Sequence, residues 1–258
     1  MNLKIKKILS KKNKSKIICL TSYTKNFSEI LDKYTDIILV GDSLGSVLYS
    51  FDTTKNVNLN MMIEHSKSVR KGVKKSLMVV DMPYNTYRNK SDALVNAKKI
   101  IKHSKADAVK LEGGKKIINI IKHLRENKIN VMGHLGILPQ SQKGKFRYKG
   151  KTSLERKKLL AEAKLLQKNG VFSIVLECIE TSLSKKITKE LKIPTIGIGS
   201  SVNCDGQVLV TDDLIGLNLT SIKFVKSFYN IRKHIELAIK KFSNDVKNKK
   251  YPSRKFSY

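Results

Sequence analysis

Residues 107–112, DAVKLE, form an apolar run of strand length in which Ala108, Val109 and Leu111 lead to an acid, Glu112, just before Gly113 and Gly114. The same ending recurs along the chain: ILVGDS carries Asp42, LMVVDM carries Asp81, VMGH carries His134 and SIVLEC carries Glu177. A carboxylate that closes a hydrophobic strand costs stability unless something binds it. Acids are scarce in this chain, 21 Asp and Glu against 52 Lys and Arg. Their recurrence at strand ends therefore points to a catalytic mouth assembled from those ends.

Apolar runs of this length alternate with stretches of helical period, the signature of a parallel sheet with helices between its strands. Eight strands are predicted, at 17–21, 36–40, 76–80, 107–111, 130–133, 172–176, 194–198 and 207–210. Between them, Phe27, Ile30, Leu31 and Tyr34 repeat at i, i+3, i+4 and i+7; Leu94, Ala97 and Ile101, and then Leu183, Ile187 and Leu191, make further stripes. The clearest helix starts at Thr152, with Glu155 spaced as a capping box, and stops at Asn169 and Gly170. Such alternation over 258 residues matches the usual length of a single (β/α)8 barrel, the TIM barrel, about 250 residues. The expected organisation is one α/β catalytic barrel over 16–250, preceded by a basic N-terminal extension at 1–15 and followed by a polar tail at 251–258. An amphipathic stretch with Ile231, Ile235, Ile239 and Phe242 is expected to dock on the barrel exterior. Two segments read as loops, 141–151 and 200–206, the first long and polar enough to serve as a lid.

A formal charge of +31 invites a nucleic-acid reading. Its texture argues against one. Only seven of the 52 basic residues are arginine, the side chain that base-reading surfaces favour, and lysine is spread over most of the length. Abundant Lys, Asn and Ile together are what an AT-rich genome encodes, so no specific nucleic-acid partner is expected, and a binding module has no use for clustered acids at strand ends. No stretch approaches the roughly 18 apolar residues that span a bilayer, and the basic start has no long apolar segment behind it. The cysteines, Cys19, Cys178 and Cys204, are odd in number and lack metal-ligand spacing. These features lead to the expectation of a soluble, cytoplasmic protein without disulfides, zinc or membrane attachment.

In a parallel barrel the functional groups sit at the C-terminal ends of the strands, so residues distant in sequence meet on one face. Asp42, Asp81 and Glu112 offer hard oxygen ligands of the kind that suit Mg2+. Taken singly, each acid reads equally as the cap of the following helix; the set argues for a site. Ser43 follows Asp42, so one of the pair could cap while the other binds. Lys110 and Glu112, two apart on one strand, share a face. They make either a structural salt bridge or a site in which the ammonium receives a substrate carboxylate, and the neighbouring acid, by keeping the amine protonated, argues against a Schiff base. Glu177 ends FSIVLE, where burial against apolar neighbours would raise a carboxyl pKa towards the range of a general base; the competing reading is a satisfied buried acid. His134 is a candidate to polarise a carbonyl or bind a cofactor, or else a packed, hydrogen-bonded neighbour. The turn at 197–201, GIGSS, falls where barrels often place a phosphate but lacks a nucleotide-loop fingerprint.

The blocks ILVGDSLG, HSKSVRKG, VVDMPYNTY, DAVKLEGG, VMGHLGILPQS, VLEC, PTIGIG and CDGQVLV, in this order between residues 16 and 252, closely resemble the ketopantoate hydroxymethyltransferase family. The resemblance implies a (β/α)8 barrel enzyme that transfers a one-carbon unit from 5,10-methylenetetrahydrofolate to 3-methyl-2-oxobutanoate. The product would be 2-dehydropantoate, for pantothenate and coenzyme A synthesis. It also implies Mg2+ and a homo-oligomer, usually a decamer. Carried over motif by motif, Asp42 and Asp81 are metal ligands that also meet the substrate, with Glu112 near the metal through water. Ser43 and Lys110 hold the keto acid's carboxylate, and Glu177 is the proton acceptor. His134 occupies the family's MGH position and is an additional site residue. The chain departs from the family at Thr24, Lys145, Ser200, Ser201 and Phe256, and the serines, less free than glycine to adopt positive φ, bear on the folate-side loop. The nearest competing reading is another Mg2+-dependent barrel acting on a 2-oxo acid, a carbon–carbon lyase or a phosphoenolpyruvate mutase relative, which would need no folate.

Overall fold

The computed structural model describes residues 2–141, 147–218 and 222–258. It comprises two compact units, Met1–Val210 and Thr211–Tyr258. In the first, eight parallel strands close into a barrel in sequence order, with the last pairing back to the first. They are β1 (Ile17–Thr21), β2 (Ile37–Val40), β3 (Leu77–Asp81), β4 (Ala108–Glu112), β5 (Val131–Gly136), β6 (Ser173–Glu177), β7 (Thr195–Ile198) and β8 (Gly206–Leu209). The helices of this unit are α1 (Leu3–Ser10), α2 (Lys25–Leu31), α3 (Leu44–Tyr49), α4 (Leu59–Gly72), α5 (Lys90–Ser104), α6 (Ile118–Glu126), α7 (Ser153–Lys168) and α8 (Thr181–Glu190). The second unit holds α9 (Thr211–Leu214) and α10 (Ile231–Lys247). All eight predicted strands are present, and the fold is the expected TIM barrel. No helix among the described residues is long and apolar enough to cross a membrane.

Each strand has two buried faces, and its side chains alternate between them. One face, with Ile38, Val40, Met78, Val80, Val109, Leu111, Ile174 and Leu176, joins the apolar layer that includes the helix stripes. The other, with Ile17, Cys19, Ile37, Leu39, Leu77, Val79, Ala108, Met132 and Val175, fills the barrel. The alternation then carries the inward series on to the ionisable residues: Leu77 and Val79 to Asp81, Ala108 to Lys110 and Glu112, Met132 to His134, Val175 to Glu177. The barrel is thus apolar below and charged above.

The helix signals at 152–170 act as anticipated. The Thr152 hydroxyl accepts from Glu155 N at 3.2 Å, Glu155 reaches back to the N–H groups of Gly150 and Lys151, and Gly170 stops the helix at φ +85°.

The N-terminal segment differs from a plain basic extension. It folds as α1, whose Ile5 and Ile8 are buried with the barrel-filling residues. Asn2 donates to Asp107 at 2.8 Å, Lys4 to the Ser76 carbonyl at 2.8 Å, and Lys12 pairs with the buried Asp205 at 2.8 Å. All of these partners lie at or before the N-terminal ends of strands, so α1 floors the barrel. The physical reason is the amphipathic order of LKIKKILS, which places its isoleucines on one face while the lysines reach outward.

At the other end of the chain, no strand lies beyond Leu209 among the described residues, and the division at Val210 differs from the expected barrel span of 16–250. The predicted helix at 231–242 forms as α10, but Ile235, Ile239 and Phe242 stay exposed in the single chain, and Phe242 stacks edgewise on Tyr251. Residues 142–146 of the expected lid, Lys145 among them, lie outside the described residues.

Candidate active site

The five ionisable strand ends meet at the C-terminal mouth of the barrel, and neighbouring strands place them in register. Asp81 is paired with Lys110, Glu112 with His134, and Gly136 with Glu177. Asp42 lies two residues beyond the end of β2, and its backbone N–H donates to Asp81 Oδ2 at 3.1 Å. Asp42, Asp81, Lys110, Glu112 and His134 are all buried.

The alternative that these acids merely cap helices fails at each position. Ser43, not Asp42, precedes α3, and its side chain makes no cap bond; the hydroxyl pairs instead with Tyr23 at 2.8 Å. Asn89 caps α5, Glu180 caps α8, and the helical turn after Glu112 starts from Gly114. None of these strand-end carboxylates is used as a helix cap.

The expected Lys110–Glu112 pair is replaced by contacts across strands. Lys110 Nζ lies 3.2 Å from Asp81 Oδ1 and 3.3 Å from His134 Nδ1. His134 stands between two acids, Nδ1 at 3.4 Å from Glu112 Oε1 and Nε2 at 3.1 Å from Glu177 Oε2. The Lys110–His134 contact is a hydrogen bond, whereas the contacts with the acids are ion-pair distances without hydrogen-bond alignment, and Asp81 Oδ1, Glu112 Oε1 and His134 Nε2 are buried without a hydrogen-bond partner. Glu177 also differs from expectation: its side chain is 14% exposed and faces an imidazole, not an apolar wall.

One residue missed in the sequence organises the cluster. Gln140, buried just after β5, donates its side-chain amide to Asp42 Oδ2 at 2.7 Å and to the Met82 carbonyl at 3.0 Å. Its backbone N–H donates to Glu112 Oε2 at 3.1 Å, and Tyr87 donates to its carbonyl oxygen. The only signal was a polar residue following Pro139 in the VMGHLGILPQS block.

Mutual repulsion is visible in the protonation preferences. Burial, with the charges of Asp81 and Glu112, pushes Asp42 up to about 8, and burial also raises Asp81. Burial opposes the charge on Lys110, but Asp81, Glu112 and Asp42 outweigh it and hold the ammonium protonated. Burial likewise opposes the imidazolium, yet the contacts of His134 with Glu112 and Glu177 push it up to about 9. Glu112, despite burial, is lowered by His134, Lys110 and the Gln140 N–H. Among the described residues no three His, Cys, Asp or Glu side chains form a ready-made metal cage. A cation would have to complete its shell with water and a ligand, which is how Mg2+ is usually held.

The family described as ketopantoate hydroxymethyltransferase matches residues 2–254. The chain belongs to that family. It is 65% identical to the 3-methyl-2-oxobutanoate hydroxymethyltransferase of Pelagibacter ubique (strain HTCC1062) over 258 residues, all of both chains. It is 43% identical to the enzyme of the same name from Anaplasma marginale (strain St. Maries), covering all of this chain and 94% of that one. Membership in the ketopantoate hydroxymethyltransferase family makes the chain a one-carbon transferase. Among solved structures it is similar in fold to phosphonopyruvate hydrolase in complex with oxalate and Mg2+, with a TM-score of 0.63 at 9% identity, covering 98% of this chain and 93% of that one. A 2,3-dimethylmalate lyase of the phosphoenolpyruvate mutase/isocitrate lyase superfamily gives 0.60 at 10% identity, covering 98% and 87%.

Of the departures from the family pattern, Thr24, Ser200 and Ser201 make no hydrogen bond with the carboxylates of the cluster among the described residues. The positive φ in the GIGSS turn is at Gly199, while neither Ser200 nor Ser201 needs it. Ser200 Oγ instead bonds Ser184 Oγ at 2.6 Å, so the serines stabilise this turn without strain. Thr24 precedes α2 without a side-chain cap bond, and Phe256 lies in the second unit against Tyr251.

Proposed function

We propose that the chain transfers a hydroxymethyl group from 5,10-methylenetetrahydrofolate to 3-methyl-2-oxobutanoate, forming 2-dehydropantoate on the route to pantothenate. The name borne by its relatives supports the keto acid. The observation that carries the chemistry is the convergence of Asp42, Asp81, Lys110, Glu112, His134 and Glu177 at one barrel mouth. The same reading includes a homo-oligomer, a decamer, in the cytoplasm.

The residues fit a divalent cation. Four carboxylates, Asp42, Asp81, Glu112 and Glu177, face two cationic groups, Lys110 and His134, and two buried acceptor oxygens lack a hydrogen bond. Asp42 and Asp81 would hold Mg2+, with Glu112 behind them through water; the metal would supply Lewis-acid stabilisation of negative charge on the keto oxygen. Lys110, already charged, attracts the substrate carboxylate, and the Ser43 hydroxyl donates to it. Glu177 removes the C3 proton, and His134 fixes the orientation of that carboxylate from 3.1 Å. The electron pair left on C3 forms the new bond to the folate methylene carbon, whose bonds to nitrogen break. One water is consumed: its hydroxyl ends on the transferred carbon. Its remaining proton and the proton from C3 balance the two folate nitrogens.

Deuterium exchange at C3 of 3-methyl-2-oxobutanoate, with and without Mg2+, tests the enolising half. Product formation on adding the folate donor then tests the transfer. Glu177→Gln is expected to leave keto-acid binding within a few fold and to lower exchange by about 100-fold or more. Exchange at the parental rate would exclude Glu177 as the base, and cleavage of the keto acid without folate would point to a lyase instead.

A further inference from the structure

We infer that Tyr23, held in place by His65, is a positioning residue for the keto acid: its phenol donates to the Ser43 hydroxyl and so commits the serine proton to the substrate carboxylate. This rests on the transferase reading above and adds to it two residues that act through Ser43. Tyr23 lies two residues beyond the end of β1, is 4% exposed and packs in the apolar layer around the barrel. Its hydroxyl is 2.8 Å from Oγ of Ser43, the residue that follows Asp42.

Proton counting fixes the direction of that bond. A serine hydroxyl has one proton to give and two lone pairs with which to accept. Among the described residues the Tyr23 phenol is the only hydrogen-bond partner of Ser43 Oγ. A carboxylate can only accept, so a bound keto acid takes the serine proton, and the 2.8 Å bond is then made with the tyrosine as donor. Two hydroxyls in series that end on an anion polarise one another, which strengthens both bonds. Gly41 leaves room for this arrangement: a Cβ there would come to 2.9 Å from Ser43 Oγ and 3.6 Å from Asp81 Oδ2, and the serine hydroxyl would have to move.

The tyrosine is itself fixed. His65 Nδ1 lies 2.8 Å from the Tyr23 carbonyl oxygen, and since a carbonyl only accepts, Nδ1 carries the proton. Nε2 is 2.9 Å from the Tyr49 hydroxyl, and the two rings meet edge-on. One tautomer of the imidazole satisfies both bonds, with Nδ1 donating and Nε2 accepting. Tyr49 also stacks on Phe51, with ring centres 5.5 Å apart. Ser43 leads directly into α3 and Tyr49 is the last residue of that helix, so both of its ends are tied to Tyr23, one through the serine hydroxyl and the other through His65. A helix of six residues gains little from its own hydrogen bonds, so these ties set where Ser43 stands.

The experiment measures binding of 3-methyl-2-oxobutanoate in the presence of Mg2+ by calorimetry, and C3 exchange at saturating keto acid. It compares the parent with Tyr23→Phe, Ser43→Ala, their double variant, His65→Leu and His65→Asn. Ser43→Ala is expected to weaken the keto acid roughly 10- to 100-fold, since it removes a bond to a charged group. Tyr23→Phe is expected to weaken it about three- to tenfold while exchange at saturation stays within about twofold of the parent. The double variant should bind like Ser43→Ala alone, because the phenol has nothing left to act through. His65→Leu should weaken binding about threefold or more, and His65→Asn, whose amide N–H can replace that of Nδ1, should restore it. A penalty for Tyr23→Phe that persists in full in the Ser43→Ala background would overturn the positioning role, as would parental affinity in Tyr23→Phe or Ser43→Ala, or equal weakening by the two His65 variants. Those results would leave the transferase reading standing. A parent that neither binds the keto acid nor exchanges C3 would refute that reading, and this role with it.

Discussion

Removing the floor of the barrel should cost more than any change at its mouth, and the size of the effect follows from α1. Ile5 and Ile8 are three residues apart, hence on one helical face, and each is 1% exposed among the barrel-filling side chains. Truncating a fully buried isoleucine to alanine costs about 2–5 kcal/mol, depending on how far the surroundings close over the gap. A short terminal helix can settle into part of that space, so about 2–3 kcal/mol for Ile5→Ala or Ile8→Ala is the appropriate end of the range. For a chain of this size each kcal/mol moves Tm by roughly 2–4 °C, which predicts a fall of about 4–12 °C for either variant. The two cavities adjoin, so the double variant should depart from additivity. Leu3→Ala, on the same helix but 78% exposed, should stay within about 0.5 kcal/mol of the parent. The chain has no tryptophan, so urea and thermal unfolding are followed by far-UV circular dichroism. C3 exchange measured well below Tm should be unaffected, because the groups proposed for catalysis are at the opposite end of the barrel. If Ile5→Ala and Ile8→Ala unfold together with Leu3→Ala, α1 is not a floor.

A second stability effect concerns pH. Asp32 accepts the N–H groups of Lys74, Lys75 and Ser76 at 2.7–3.0 Å, which holds its carboxyl below the usual range although burial opposes this. Its contribution is present above the unfolded value, near 4, and is lost as pH falls through the lower folded value. Asp32→Ala is therefore expected to cost about 2–3 kcal/mol at pH 7, with the gap in urea midpoint narrowing towards pH 3. Gln140→Leu removes the amide between Asp42 and the Met82 carbonyl; kcat/KM should fall roughly 10- to 100-fold, with a higher Mg2+ requirement for C3 exchange. An unchanged Mg2+ requirement would show that Gln140 only packs. Chelating the metal should abolish keto-acid binding by calorimetry, and Mg2+ with keto acid together should raise Tm more than either alone.

Most of the architecture was legible because apolar runs of strand length, such as LMVVD and AVKLE, alternate with amphipathic helical stripes, which leaves few arrangements other than a parallel sheet closed into a barrel. The site was legible for the same reason: acids that interrupt apolar runs at matching positions converge when the strands lie side by side. What escaped were facts that depend on which strand is the neighbour. Lys110 and Glu112 share a face, but strand register gives Lys110 to Asp81 and Glu112 to His134. Gln140 lies in a loop with no periodicity to announce it, and the lysines of α1 hid two isoleucines that the barrel needed.

The two ends of the barrel interior impose opposite demands on one alternating pattern. At the floor, Ile5, Ile8, Ile17, Leu77 and Met132 exclude water, which stabilises the fold and lowers the dielectric above them. At the mouth the same inward positions carry Asp81, Lys110, Glu112 and His134, whose charges that low dielectric makes costly unless they meet a partner. Lys110 and His134 face four carboxylates, and burial, with the charges of Asp81 and Glu112, raises Asp42. On the proposed reading, a bound cation would complete the cluster. Once such a cation sits among the acids, the local sign reverses, and an anionic keto acid becomes a favourable neighbour for a pocket that by itself would repel it. The floor supplies the stability that lets the mouth keep buried acceptors without hydrogen bonds, and on the proposed reading those acceptors are what would draw metal and substrate to one place.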